Sequence, residues 1–163
     1  MAHPIPRQVL VSSSLLDRLM DDHPDLSSES QSEFLFDVAR YKRAVARDLE
    51  SLFNTRATHL AEESLESYPH VRKSVLMFGI SDLSSLSLLN PEDRLFLQEN
   101  LRKTIECFEP RLANARVNLE ISRDSHQVMR FRVDALLRVH PTRPPVSFDA
   151  MLQLSSNTYH VKD

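Results

Sequence analysis

Glycine is almost absent: Gly79 is the only one in 163 residues, where average usage of ~7% would supply about eleven. Glycine-rich phosphate loops are thereby excluded, both the dinucleotide fingerprint and the P-loop. No Gly-x-Ser-x-Gly elbow can carry a nucleophilic serine either. Turns must come from Pro, Asn, Asp and Ser instead. Cysteine is as scarce. Cys107 stands alone, so no intrachain disulfide can form and a reducing compartment fits. It precedes Phe108 and has only Lys103 as a nearby base, which predicts an inert buried thiol. The seven histidines include no helical i, i+4 pair, so no zinc-site spacing can be assembled and neither metal nor cofactor is expected. No stretch approaches the ~20 apolar residues of a membrane span. The opening Met1-Ala2-His3-Pro4 lacks a basic region followed by an apolar run, so no secretory signal is expected. A formal net charge of −3 gives no global reason to expect nucleic acid as a partner.

What remains is ordinary for a soluble domain: 41% hydrophobic and 26% charged residues in 18.8 kDa. A chain of this size buries roughly 70% of the surface its unfolded form exposes. The expected division is an N-terminal arm over 1–29, carrying a short docking helix, and a single α+β domain over 30–163. Ser14 stands three residues before Asp17, a capping box, and Leu15, Leu16, Leu19 and Met20 share one helical face. So short a helix cannot stand alone in water. Its apolar face must dock, on its own domain or on a partner.

Ser30-Gln31-Ser32-Glu33 reads as a second capping box, opening the longest helix. Phe34, Val38, Tyr41, Val45, Leu49 and Leu52 form its apolar stripe, while Arg40, Lys42, Arg43 and Arg47 are open to solvent or to an acidic partner. Val71 to Ile80 reads as an extended apolar segment turning at Gly79, where positive φ or close backbone approach would require glycine. Ser84 to Leu89 reads as loop. Asn90-Pro91-Glu92-Asp93 combines a cap, a first-turn proline and acids at the positive dipole end, so a helix starts there. Its stripe is Leu97, Leu101, Ile105 and Phe108.

At Phe108-Glu109-Pro110-Arg111-Leu112 the chain changes character. Pro110 cannot extend a helix and biases Glu109 out of it. Beyond, the period becomes two: Val117, Leu119 and Ile121, then Met129, Phe131, Val133 and Ala135, then Val146, Phe148, Ala150 and Leu152. Asp124-Ser125-His126 suits a hairpin turn, and Tyr159 to Val161 prolongs the sheet. The pattern predicts two main helices followed by a small antiparallel sheet of three to four strands, an α+β fold. Taken alone, Glu109 and Arg111 are a helix stop with a local ion pair, or a pair placed to meet a partner. Glu106, Glu109, Glu120 and Asp134 are nominal acids for glycoside hydrolysis, which needs two carboxyls roughly 5–9.5 Å apart. Nothing marks two of them as having divergent environments, so no enzyme is expected.

The triplet Glu109-Pro110-Arg111, after a helix with Ile105 and Phe108, resembles the signature of the TssE family, baseplate subunits of type VI secretion. That family is similar to the wedge protein that starts the sheath in contractile phage tails. Ser14 to Leu19, Tyr41 to Leu52, Ser74 to Leu83 and Val146-Ser147-Phe148-Asp149 match in the family's order, and the set spans most of residues 13 to 161. The resemblance implies a fold similar to the inner part of a contractile sheath subunit and a cytoplasmic place at the baseplate, beneath the inner membrane. It implies TssF and TssG as wedge partners, the TssB/TssC sheath as the polymer seeded, and TssK as a further neighbour. Glu109, Pro110 and Arg111 would then serve the wedge contact, with Leu15, Leu16 and Leu19 as a second docking surface. The same fold family implies an alternative, a small regulatory module like an anti-adaptor. A lysozyme-like label carried by relatives implies the glycosidase reading. An exposed sheet edge at 146–153 or 158–161 would accept sheath strands.

Overall fold

The computed structural model describes residues 11–20, 35–58, 67–68, 70–82, 90–120, 128–139, 143–153, 156 and 158–163. A two-residue strand β1 (Val11–Ser12) leads into helix α1 (Leu15–Leu19), and β1 pairs antiparallel with β2 (Leu35–Phe36). Helix α2 (Val38–Asn54) follows, then two single 3₁₀ turns, Val71–Lys73 and Val75–Met77, and helix α3 (Pro91–Phe108). Four strands complete the described chain: β3 (Leu112–Glu120), β4 (Val128–Leu137), β5 (Pro145–Gln153) and β6 (Thr158–Lys162). They form one antiparallel meander in the order β3-β4-β5-β6. The α+β class read from the sequence is what the chain adopts.

The sheet is apolar on one face only, because a strand's side chains alternate. Met129, Phe131, Val133, Ala135 and Leu137 of β4, Val146, Phe148, Ala150 and Leu152 of β5, and Tyr159 of β6 are all buried. Against them pack the α2 stripe, with Tyr41, Val45, Leu49 and Leu52 buried as expected, and Leu97, Leu101 and Ile105 of α3. Phe53, Phe131 and Tyr159 meet edge-on or tilted, with centroids 5.7 to 6.1 Å apart. Each such side chain contributes roughly 1.5–3 kcal/mol when fully buried, so this layer is the main source of stability. The opposite face is polar. Arg132 Nε donates to Asp149 Oδ1 at 2.8 Å across the β4–β5 register, and Ser147 Oγ donates to Asp134 at 2.8 Å.

Several sequence expectations are corrected. Helix α2 starts at Val38, not at the Ser30–Glu33 box, which lies outside the described residues; Asp37 is the cap, accepting the Arg40 N–H at 2.7 Å, and Leu35–Phe36 is extended. It is not the longest helix: α3 has 18 residues against 17. The Val71–Ile80 segment is not extended, because Ser74, Met77 and Phe78 each donate their N–H three residues back. Strand β3 begins at Leu112, five residues before the alternation at Val117. Asn114 takes φ 55° at a register shift between Ala113 and Arg116, so the bulge absorbs one step of phase. Cys107 is exposed, two positions past Ile105 and off the buried stripe, with Sγ 3.7 Å from the Arg72 carbonyl. The expected loop at 84–89 and the turn at 124–126 lie outside the described residues.

Gly79 meets both conditions set for it. Its φ is +116°, and a Cβ there would stand 2.3 Å from the Thr55 carbonyl oxygen. Ile80 N–H donates to that oxygen at 2.9 Å, and Ala57 N–H returns a bond to Ile80 O at 3.1 Å. The segment before α3 is thereby stitched to the end of α2.

Candidate functional site

Helix α3 ends as its sequence dictates. Glu109 leaves the helical region at φ −117° and ψ 78°, its N–H still bonded to Ile105 O at 2.8 Å. Its carbonyl accepts the Leu112 N–H at 3.1 Å, closing a turn over the exposed Pro110. The turn folds the Glu109 side chain inward, where it is only 4% exposed. A buried carboxylate must be neutralised locally. Arg111 does so from two residues on: Glu109 Oε1 accepts from Arg111 N at 3.1 Å and Nε at 2.7 Å, and Oε2 accepts from Nη2. This is the two-pronged pairing that a planar guanidinium permits.

The pair does not stand alone. Arg111 Nη2 also donates to Asp48 Oδ2 at 2.6 Å, and its guanidinium carbon lies 5.9 Å from the Tyr41 ring centre. Asp48 Oδ1 accepts from Arg47 Nε at 3.0 Å and Nη2 at 2.8 Å. Arg47 Nη2 then reaches Asp17 Oδ1 at 2.7 Å. The result is an alternating chain of charge, Glu109–Arg111–Asp48–Arg47–Asp17, joining the elbow to α2 and α2 to α1. The Arg111 carbonyl adds a tie to the end of β4, accepting Arg138 N–H at 2.8 Å. Burial works against the charge on Arg111, and the Glu109 and Asp48 carboxylates override it, holding its pKa above the usual value.

At the far end, Asp17 is the buried residue of α1, at 8% exposure. Its Oδ2 accepts the Ser14 N–H at 3.1 Å and the Ser14 hydroxyl at 2.6 Å, completing the capping box read from the sequence. Burial alone would raise the Asp17 carboxyl, but the Ser14 hydroxyl and the Arg47 guanidinium outweigh it and hold its pKa below the ordinary value. The leucines turn the other way. Leu15, Leu16 and Leu19 are 75%, 55% and 72% exposed, so α1 docks through its acid and leaves its apolar face uncovered.

Of the six residues singled out for partner contact, the structure joins Glu109 to Arg111 and sets Pro110 at the tip of the turn, exposed. Leu15, Leu16 and Leu19 lie on a separate surface, connected through Asp17 and Arg47. Sequence reasoning missed Asp48 and left Arg47 open to solvent or to an acidic partner, where it pairs within the chain with Asp17 and Asp48. The signal was present: Asp48 stands seven residues after Tyr41, on the same face of α2 and beside its apolar stripe. Glu106, a nominal catalytic acid, is paired on the helix surface with Arg102 at 2.6 Å, and Asp134 holds Ser147 and Asn118 on the polar sheet face. Both Glu109 oxygens are taken by Arg111. Among the described residues, no group of three His, Cys, Asp or Glu side chains could hold a metal ion.

A family model described as baseplate wedge protein gp25 matches residues 39–142, more than half of the chain. The matched span holds α2 from its second residue, α3, β3 and β4, and with them Asp48, Glu109 and Arg111, while β1, α1, β2, β5 and β6 fall outside it. No curated protein matches the chain.

Two outcomes follow from this geometry. Arg111→Ala leaves Glu109 buried and uncompensated, so the urea midpoint should fall by an amount equivalent to about 3–5 kcal/mol, and Arg111→Lys should recover only part of it, lacking the fork. Because the folded-state pKa of Asp17 is depressed, its contribution is present above the unfolded carboxylate value of ~3.9 and is lost as pH falls through the folded one. The α1 amide resonances should therefore move toward coil positions below about pH 4, and Asp17→Asn should show the released state already at neutral pH.

Proposed function

The chain belongs to the baseplate wedge protein gp25 family, a structural family of contractile baseplates, and from that premise we propose that it is a wedge subunit of a type VI secretion baseplate. In this reading it binds TssF and TssG, lies beside TssK, and seeds polymerisation of the TssB/TssC sheath, in the cytoplasm beneath the inner membrane. No helix among the described residues is long and apolar enough to cross a membrane. The observation that carries the proposal is α1: three leucines held outward on a helix fixed by an ion pair. An assembly subunit needs such an uncovered apolar surface, and an enzyme working alone does not. Glu109 serves the wedge contact through shape. Its buried carboxylate sets the elbow that carries Pro110 outward and fixes Arg111 against α2.

Sheath seeding needs a place for an added strand. Strand β6 covers β5 only over Asp149–Gln153, so the side of β5 at residues 145–148 has no paired strand among the described residues. The alternation of the ladder puts the Ser147 N–H and C=O on that side. This supports strand addition at 145–148, in line with β6.

Pull-down from native lysate should recover TssF and TssG with the wild-type chain and lose both with Leu15→Asp/Leu19→Asp, whose melt should be unchanged. Recovery of a single regulator in a one-to-one complex, without TssF or TssG, would favour the anti-adaptor-like module instead. For the sheath contact, Ser147→Cys should crosslink to cysteines engineered in the first sheath ring. Consistent failure of that crosslink in intact wedges removes the strand-addition step.

A further inference from the structure

Strand β6 ends the sheet, and an end strand normally shows a row of unpaired backbone groups that another strand can join. Here the Tyr159 N–H and C=O and the Val161 N–H are already bonded. In the β5–β6 register, Tyr159 stands opposite Leu152 and Val161 opposite Ala150. The backbone groups of Tyr159 and Val161 turn away from β5, toward α2. There the Asn54 side chain donates from Nδ2 to the Tyr159 carbonyl at 2.9 Å and accepts the Tyr159 N–H on Oδ1 at 2.8 Å. Two residues further, the Val161 N–H donates to Glu50 Oε2 at 2.8 Å.

The Asn54 carboxamide exchanges both bonds with one residue, as the peptide group of a neighbouring strand does. The spacing explains why two helical residues can do this. Positions i and i+4 of a helix are about 6 Å apart along its axis, and residues i and i+2 of a strand are about 6.8 Å apart. Asn54 is held for the task, since Nδ2 also donates to the Glu50 carbonyl at 2.9 Å. On the opposite edge, Gln98 of α3 donates from Nε2 to the Val117 carbonyl of β3 at 2.8 Å, so both outer strands are met by a helix side chain.

We infer that Asn54 and Glu50 act as a surrogate strand that closes the β6 edge to a strand of a second copy of this chain. The expectation that 158–161 is an open edge is thereby corrected. The inference is independent of the wedge reading, because it concerns the isolated protein and fails separately from any result with TssF or the sheath.

Hydrogen exchange and sedimentation of the purified chain test it. The Tyr159 and Val161 amides of the wild type should be protected although they lie on an outer strand, and the protein should stay monomeric. Glu50→Ala/Asn54→Ala should raise their exchange at least about tenfold at low concentration, the equivalent of one lost hydrogen bond. It should also produce association that grows with concentration. Adding Val161→Pro, which removes an outward N–H at an edge where proline is tolerated, should return the protein to monomer. Should the double variant fail to fold, Asn54→Ala alone carries the same test, since it removes the acceptor of the Tyr159 N–H and the donor to its carbonyl and should speed exchange at Tyr159. Free exchange of both amides in the wild type would overturn the inference, as would a folded double variant that remains monomeric at high concentration.

Discussion

A carboxylate almost out of reach of water, at the point where a helix turns into a strand, is the constraint on which the rest of this molecule depends. Glu109 tolerates its position only because Arg111 returns to it across Pro110. Once Arg111 is committed, its second acceptor, Asp48, fixes where α2 lies against the elbow. Asp48 in turn orients Arg47, and Arg47 holds Asp17. The order of charges is therefore an order of placement. One local requirement at the end of α3 is passed through α2 to the short helix at the other end of the chain. Pairs at the exposed end contribute less than those at the buried end, since solvent screens Arg47 more than Arg111.

The apolar layer supplies stability and the polar chain supplies register. Packing alone would let α2 slide or rotate on the sheet, because leucine, valine and phenylalanine are tolerant of small shifts. Two fixed points oppose this. Near its middle, α2 is pinned by Asp48 to the elbow, and at its end Asn54 is pinned to Tyr159. Gly79 adds a third tie at Thr55, which no other residue could make at that φ and that distance. Burial pushes the Tyr159 phenol up to about 12, against the pull of the nearby Arg56.

How much of this could be read from the sequence varied with the physics involved. Strands β4 and β5 were legible because each has a clean period of two over its whole length, and α3 because Asn90-Pro91-Glu92-Asp93 states its start and Pro110 its end. The start of α2 was misplaced because Ser30-Gln31-Ser32-Glu33 and Asp37 both satisfy capping rules, and only the extended backbone at Leu35–Phe36 separates them. Strand β3 was cut short because the Asn114 bulge breaks the alternation that identifies a strand. The charged pair at the elbow was visible as a pair, but its third member lies 63 residues away. No local pattern announces such a contact, nor the Asn54–Tyr159 contact across 105 residues. The direction of α1 was equally hidden, since amphipathicity says which faces differ and not which one turns inward.

That inverted helix has a consequence for how binding energy is spent. Disordered arms that coil only on contact lose part of their affinity to the conformational entropy of ordering. Here the Ser14–Asp17 box and the anchor to Arg47 have already wound the helix and chosen its orientation before anything arrives. In the docking proposed for them the three leucines are a preorganised set, and an interface built on them could be small and still hold.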